Sequence, residues 1–122
     1  MESWQDPATA PVRLYYVGWS TSTGEADWAL RPLLYSGSFP PSLFNTAYYK
    51  NAKFDADIKE AQLTTDSAKK AALYKDAQQT AWNDAPWAPL VTEKLLSANN
   101  KKLTGVYVIP DASFNFTEVD LK

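Results

Sequence analysis

The chain has 122 residues, of which 45% are hydrophobic and 21% charged, and a formal net charge of -2. Those proportions fit one globular domain that buries about two thirds of its unfolded surface, and they argue against a disordered or membrane-embedded chain. Scattered lysines give no basic stripe for nucleic acid, and the absence of histidine and cysteine removes the usual catalytic base, thiolate chemistry, disulfides and nearly all transition-metal sites. No metal, cofactor or catalytic residue is expected, and with only carboxylates, hydroxyls and lysines left for chemistry an enzyme would have few tools here.

The first residues, from Met1 through Pro7, lack the charged and apolar regions of a secretory signal, and no apolar run approaches the roughly 18 residues needed to span a bilayer. A protein working outside the cytoplasm would have had its signal removed, and Met1, the sole methionine, suits a start residue added to an excised segment. Pro7 and Pro11 make an extended lead-in. Residues 12–19 then alternate, with Val12, Leu14, Tyr16 and Gly18 on one face and Arg13, Tyr15, Val17 and Trp19 on the other, which predicts a strand covered on both sides. The polar loop Ser20, Thr21, Ser22, Thr23 and Gly24 follows. Its hydroxyls either satisfy the local backbone or face a ligand.

Asp27 is placed to cap a brief helix from Trp28 toward Tyr35, with Pro32 tolerated only in the first turns. Residues 36–51 combine Gly37, Pro40 and Pro41 with Phe39, Phe44, Tyr48 and Tyr49, the composition of a long ordered loop pinned by aromatics. Phe54, Ile58 and Ala61 give the apolar stripe of a helix over residues 52–63. Asp66 or Ser67 caps a second helix reaching about Asp84, with Leu73, Ala77 and Ala81 on one row and Tyr74 and Trp82 beside it; Pro86 stops it. Residues 89–97 read as a strand, residues 99–102 as a turn and residues 103–110 as another strand, while Phe114 and Phe116 in the tail are expected to dock on a core. Lys69, Lys70 and Lys75 form a solvated helix face. The fold class is mixed α/β.

The order of short elements resembles a known family. Gly18 and Trp19 end an aromatic strand; Gly24, Glu25, Ala26 and Asp27 follow, then Phe44 and Asn45 with Tyr49 and Asn51. Asp66, Leu73, Tyr74, Ala77 and Gln78 come next, and Ala85, Pro86, Trp87, Ala88, Pro89 and Leu90 close the series. Together these resemble the C-terminal region of the extracytoplasmic solute-binding proteins of peptide and nickel ABC importers, with residues 18–30 and 44–47 most similar to the glutathione-binding members. The resemblance implies a fragment of a two-lobed periplasmic binding protein of the type II, peptide-binding class, which closes around glutathione or a short peptide and delivers it to a membrane permease. It implies that residues 1–89 belong to the distal ligand-binding lobe and that residues 90–122 return to join the first lobe, so the fragment should expose surface that the remainder of the protein covers.

In this family the loop after the Gly-Trp strand end faces the cleft between lobes, and peptide binders place an Asp three positions beyond the Trp to pair with the peptide's amino terminus. Here that position is Ser22. A serine cannot neutralise an ammonium group, which counts against ordinary dipeptides. Glutathione carries its free amine beside a carboxylate on a γ-linked glutamyl group, and hydroxyls that donate and accept suit such a zwitterionic end. The candidate substrate-binding residues are therefore Trp19 as an aromatic wall, with Ser20, Thr21, Ser22 and Thr23 as polar partners. Glu25 and Asp27 read as charge at a helix start before they read as a catalytic pair. Two other classes stay open: a self-associating homo-oligomeric module that pairs uncovered strand edges, and an aromatic-rich carbohydrate-binding module.

Overall fold

A computed structural model of the chain describes residues 8, 14, 16–109 and 111–122. Three helices lead and four short strands follow: α1 (Asp27–Leu34), α2 (Ala52–Leu63), α3 (Ser67–Asp84), β1 (Leu103–Thr104), β2 (Tyr107–Val108), β3 (Phe114–Asn115) and β4 (Asp120–Leu121), with one 3-10 turn at Ser36–Ser38. Helix and strand are both present, as the composition and periodicity predict.

The two long helices begin at side-chain caps. Asn51 accepts from the backbone N–H groups of Lys53 and Phe54, and Asp66 accepts from those of Ala68 and Lys69. Each cap satisfies donors that have no partner inside the helix. At the far end of α3, Ala85 adopts left-handed backbone (φ 48°) while its N–H returns to Ala81, and Pro86 prevents further winding. The three-residue link between α2 and α3 folds them against each other, which is the main helix packing of the molecule. Ala77 and Ala81 of α3 are small enough to let α2 approach, and Phe54 and Ile58 are fully buried there. Leu33 and Leu34 of α1 complete the cluster, with Leu30, Tyr35, Tyr49 and Tyr74 around it. Burying a Phe or Ile side chain contributes about 1.5–3 kcal/mol, so this small cluster is the centre of stability.

The loop before α2 is ordered by one residue. Asn45 is fully buried; its Nδ2 donates to the carbonyls of Tyr35 (3.0 Å) and Tyr49 (2.9 Å), and its Oδ1 accepts from the Tyr49 N–H (3.1 Å). Asp84 adds an outer clasp, accepting from the Tyr49 hydroxyl (2.6 Å) and from Asn51 Nδ2 (2.7 Å). Aromatic contacts pin the same segment, Phe39 on Tyr48 and Tyr49 edge-on to Phe54.

The strand expectations fare differently. Val12, Arg13, Tyr15 and Pro110 lie outside the described residues; Leu14 and residues 16–19 form no strand, and Leu14, Tyr16 and Val17 stand exposed. Residues 89–97 form none either, and all of them are exposed. Alternation becomes a strand only when a partner strand pairs with it, and among the described residues the strands pair only as β1 with β4 and β2 with β3. The expected strand at 103–110 is broken in two at Gly105. β1 pairs antiparallel with β4 (Leu103 with Leu121) and β2 with β3 (Tyr107 with Asn115). The two pairings differ in register because four residues, 116–119, lie opposite two, 105–106, which makes a bulge. Gly105 (φ 76°) sits in it, and a Cβ there would lie 1.9 Å from the Glu118 carbonyl oxygen. Phe114 and Phe116 do not dock on a core: they stack on each other at 6.0 Å and remain 46% and 63% exposed.

Candidate functional site

The hydroxyl loop enters α1 through Gly24 (φ 71°), whose positive φ turns the chain into the helix. The helix then starts at Asp27 without a side-chain cap. The expected Asp27 cap is thus corrected: its carboxylate turns back along the helix instead, Oδ2 accepting from Arg31 Nε at 2.8 Å, while Oδ1 lies 3.4 Å from Gln62 Nε2 and 3.4 Å from the Tyr74 hydroxyl. Asp27 is buried, and an ion pair four residues apart that also reaches α2 and α3 gains more here than one helix N–H would offer. Burial, and then the Asp27 carboxylate, push the Tyr74 phenol up to about 12. Asp27 is therefore committed to fixing α1 on the other helices, leaving Glu25 without it as a catalytic partner.

Trp19 lies across α1. Its indole Nε1 donates to the Trp28 carbonyl at 2.9 Å, and its ring meets Phe44 at 5.4 Å with planes 57° apart. It remains 40% exposed. Ser20, Ser22 and Thr23 are exposed and Thr21 is half-buried. Thr23 is partly used locally, its Oγ1 accepting from the Glu25 N–H at 3.2 Å. Among the described residues, none bonds to the side chains of Ser20, Thr21 or Ser22. The structure therefore brings the five predicted residues to one stretch of surface beside α1, with three of the four hydroxyls uncommitted. Phe44 belongs with them, and no local spacing signals that contact because the loop, α1 and the 3-10 turn all lie between the two rings.

Two grooves lie away from this loop. One open groove of about 280 Å³ runs between α1 and the end of α3, lined by Leu30, Leu34, Ala81, Trp82 and Trp87 among others, and a smaller one of about 190 Å³ sits under Phe114 and Phe116. Neither is lined by the hydroxyl loop, whose Ser20, Ser22 and Thr23 are exposed. Among the described residues no group of acidic side chains could hold a metal ion, and no helix is long and apolar enough to cross a membrane.

Comparison with known proteins finds close relatives. The chain is 60% identical over 110 residues, 90% of its length, to the glutathione-binding protein GsiB of Pectobacterium atrosepticum. It is 53% identical over 111 residues to the proteins of the same name from Salmonella typhimurium and from Escherichia coli K12. It spans about a fifth of the length of the curated relatives it matches, 21% to 22%. No family model matches the chain.

Proposed function

We propose, from the chain's membership of the family of glutathione-binding proteins, that it is the C-terminal part of the substrate-binding component of an ABC importer for glutathione, with short peptides as the wider ligand class. The identity of 53–60% over nine tenths of the chain is the observation that carries this reading. The role is binding without catalysis, in the periplasm, with the membrane permease and the remainder of the binding protein as partners. In this reading the whole protein has two lobes; residues 1–89 supply part of the distal one and residues 90–122 return to the first. Trp19 forms an apolar wall of the cleft, and Ser20, Thr21, Ser22 and Thr23 face the zwitterionic end of the ligand. Exposed, uncommitted hydroxyls beside a partly exposed indole suit such a wall, whose opposite side lies on the other lobe. Closure of the lobes removes water from these groups and completes their hydrogen bonds.

The relatives favour neither a self-associating module nor a carbohydrate-binding one. Titration calorimetry on the intact binding protein and on this chain alone tests the proposal: the intact protein is expected to bind glutathione at least about a hundredfold more tightly, since half a cleft leaves most of the ligand in water. Equal affinities, or an intact protein indifferent to glutathione, would sink it.

A further inference from the structure

Pro32 lies four residues beyond Trp28 inside α1. Having no N–H, it cannot supply the helical donor that the Trp28 carbonyl would otherwise receive. That place is taken by the indole N–H of Trp19, at 2.9 Å. The same proline holds the other side of the ring: the Phe44 N–H donates to the Pro32 carbonyl at 3.1 Å, and the Phe44 ring packs against Trp19. Both the tether and the stacking partner of Trp19 are thus anchored at one buried residue.

We infer that Pro32 is a positioning residue for the glutathione wall, acting through Trp19, and this rests on the reading of Trp19 as that wall. An indole has a single hydrogen-bond donor and no acceptor. With that donor held by Trp28, Trp19 offers the ligand only its ring, so polar recognition falls to the hydroxyls of Ser20, Thr21 and Ser22. The missing donor frees the carbonyl, the carbonyl sets the ring's orientation, and the ring fixes where the hydroxyl loop begins.

The test uses the full-length binding protein that carries this sequence. Pro32→Ala returns an N–H to the Trp28 carbonyl and displaces the indole. The Trp19 Nε1–H resonance should shift and exchange faster, and glutathione affinity should fall about threefold to tenfold, the range for one lost hydrogen bond, while the thermal midpoint stays level or rises. Trp19→Phe keeps the stacking and removes the donor, and should weaken binding to a similar extent; it carries the test should Pro32→Ala not fold. If either variant binds glutathione within about twofold of the parent while Trp19→Ala loses binding, the positioning role is overturned and the wall survives. If Trp19→Ala itself binds normally, the wall reading falls and this inference with it.

Discussion

Residues 27–84 and residues 89–122 are of comparable apolar character, yet only the first stretch builds an interior. Every buried apolar residue described lies between positions 32 and 81. Beyond α3, Leu90, Val91, Leu96, Phe116 and Leu121 are each more than 60% exposed, and the strands there pair only with one another. The difference teaches that local pattern and burial are separate achievements. A helix pair closes on itself through a three-residue link, whereas a ribbon with both faces open has nothing to close on. Tyr16, whose hydroxyl donates to Glu93 Oε1 at 3.4 Å, joins two segments that are in neither helix nor strand.

The sharpest way to break the comparison is a pair of truncations. Phe54→Ala should destabilise the chain by about 3–5 kcal/mol, whereas Phe114→Ala should cost less than about 0.5 kcal/mol, both read by urea unfolding. A costly Phe114→Ala would reveal an interior in the second stretch after all. Next, Asn45→Ala strands the Tyr49 carbonyl and N–H inside the loop, leaves the Tyr35 carbonyl with the Ser38 N–H alone, and should cost about 2–3 kcal/mol. A thermal melt that does not move would show that water enters there.

Removing the α3 cap with Asp66→Ala should cost about 1 kcal/mol and raise amide exchange only in the first turn of that helix. The last effects appear only at the extremes of pH. Because the Tyr74 phenol is raised to about 12 in the folded chain, the unfolded chain ionises first, near pH 10. Stability from this group is whole below about pH 10 and is lost as pH rises toward 12; Tyr74→Phe should flatten that decline in alkaline melts. At the other end, hydrogen bonds from Tyr49 and then Asn51 hold the Asp84 carboxyl below its ordinary value, so its contribution is present above about pH 4 and disappears as the pH falls.

Much of the helical stretch was legible in the residues themselves. Phe54, Ile58 and Ala61 define one face, Asp66 is a good cap and Pro86 is a stop, so α2 and α3 fall where spacing puts them; the Asn51 cap came only with the structure. Asp27 misled because its strongest partner, Arg31, sits one turn on and outcompetes the cap. Residues 12–19 and 89–97 carry strand alternation, but pairing depends on an edge elsewhere, which no local pattern encodes. For the proposed site, Trp19 and the hydroxyls are picked out by the family resemblance of residues 18–30. The tether from Trp19 to Trp28 is not, since it depends on a donor that a proline lacks.

Gly105 sets a limit on how the terminal ribbon can be altered. With the Glu118 carbonyl lodged where a side chain would begin, the two pairings are held at an unequal crossing, and any bulkier residue must prise them apart. Insertions at the far loop or additions past Lys122 leave that crossing untouched. The ribbon is therefore a piece that tolerates extension at its ends and resists revision at its waist.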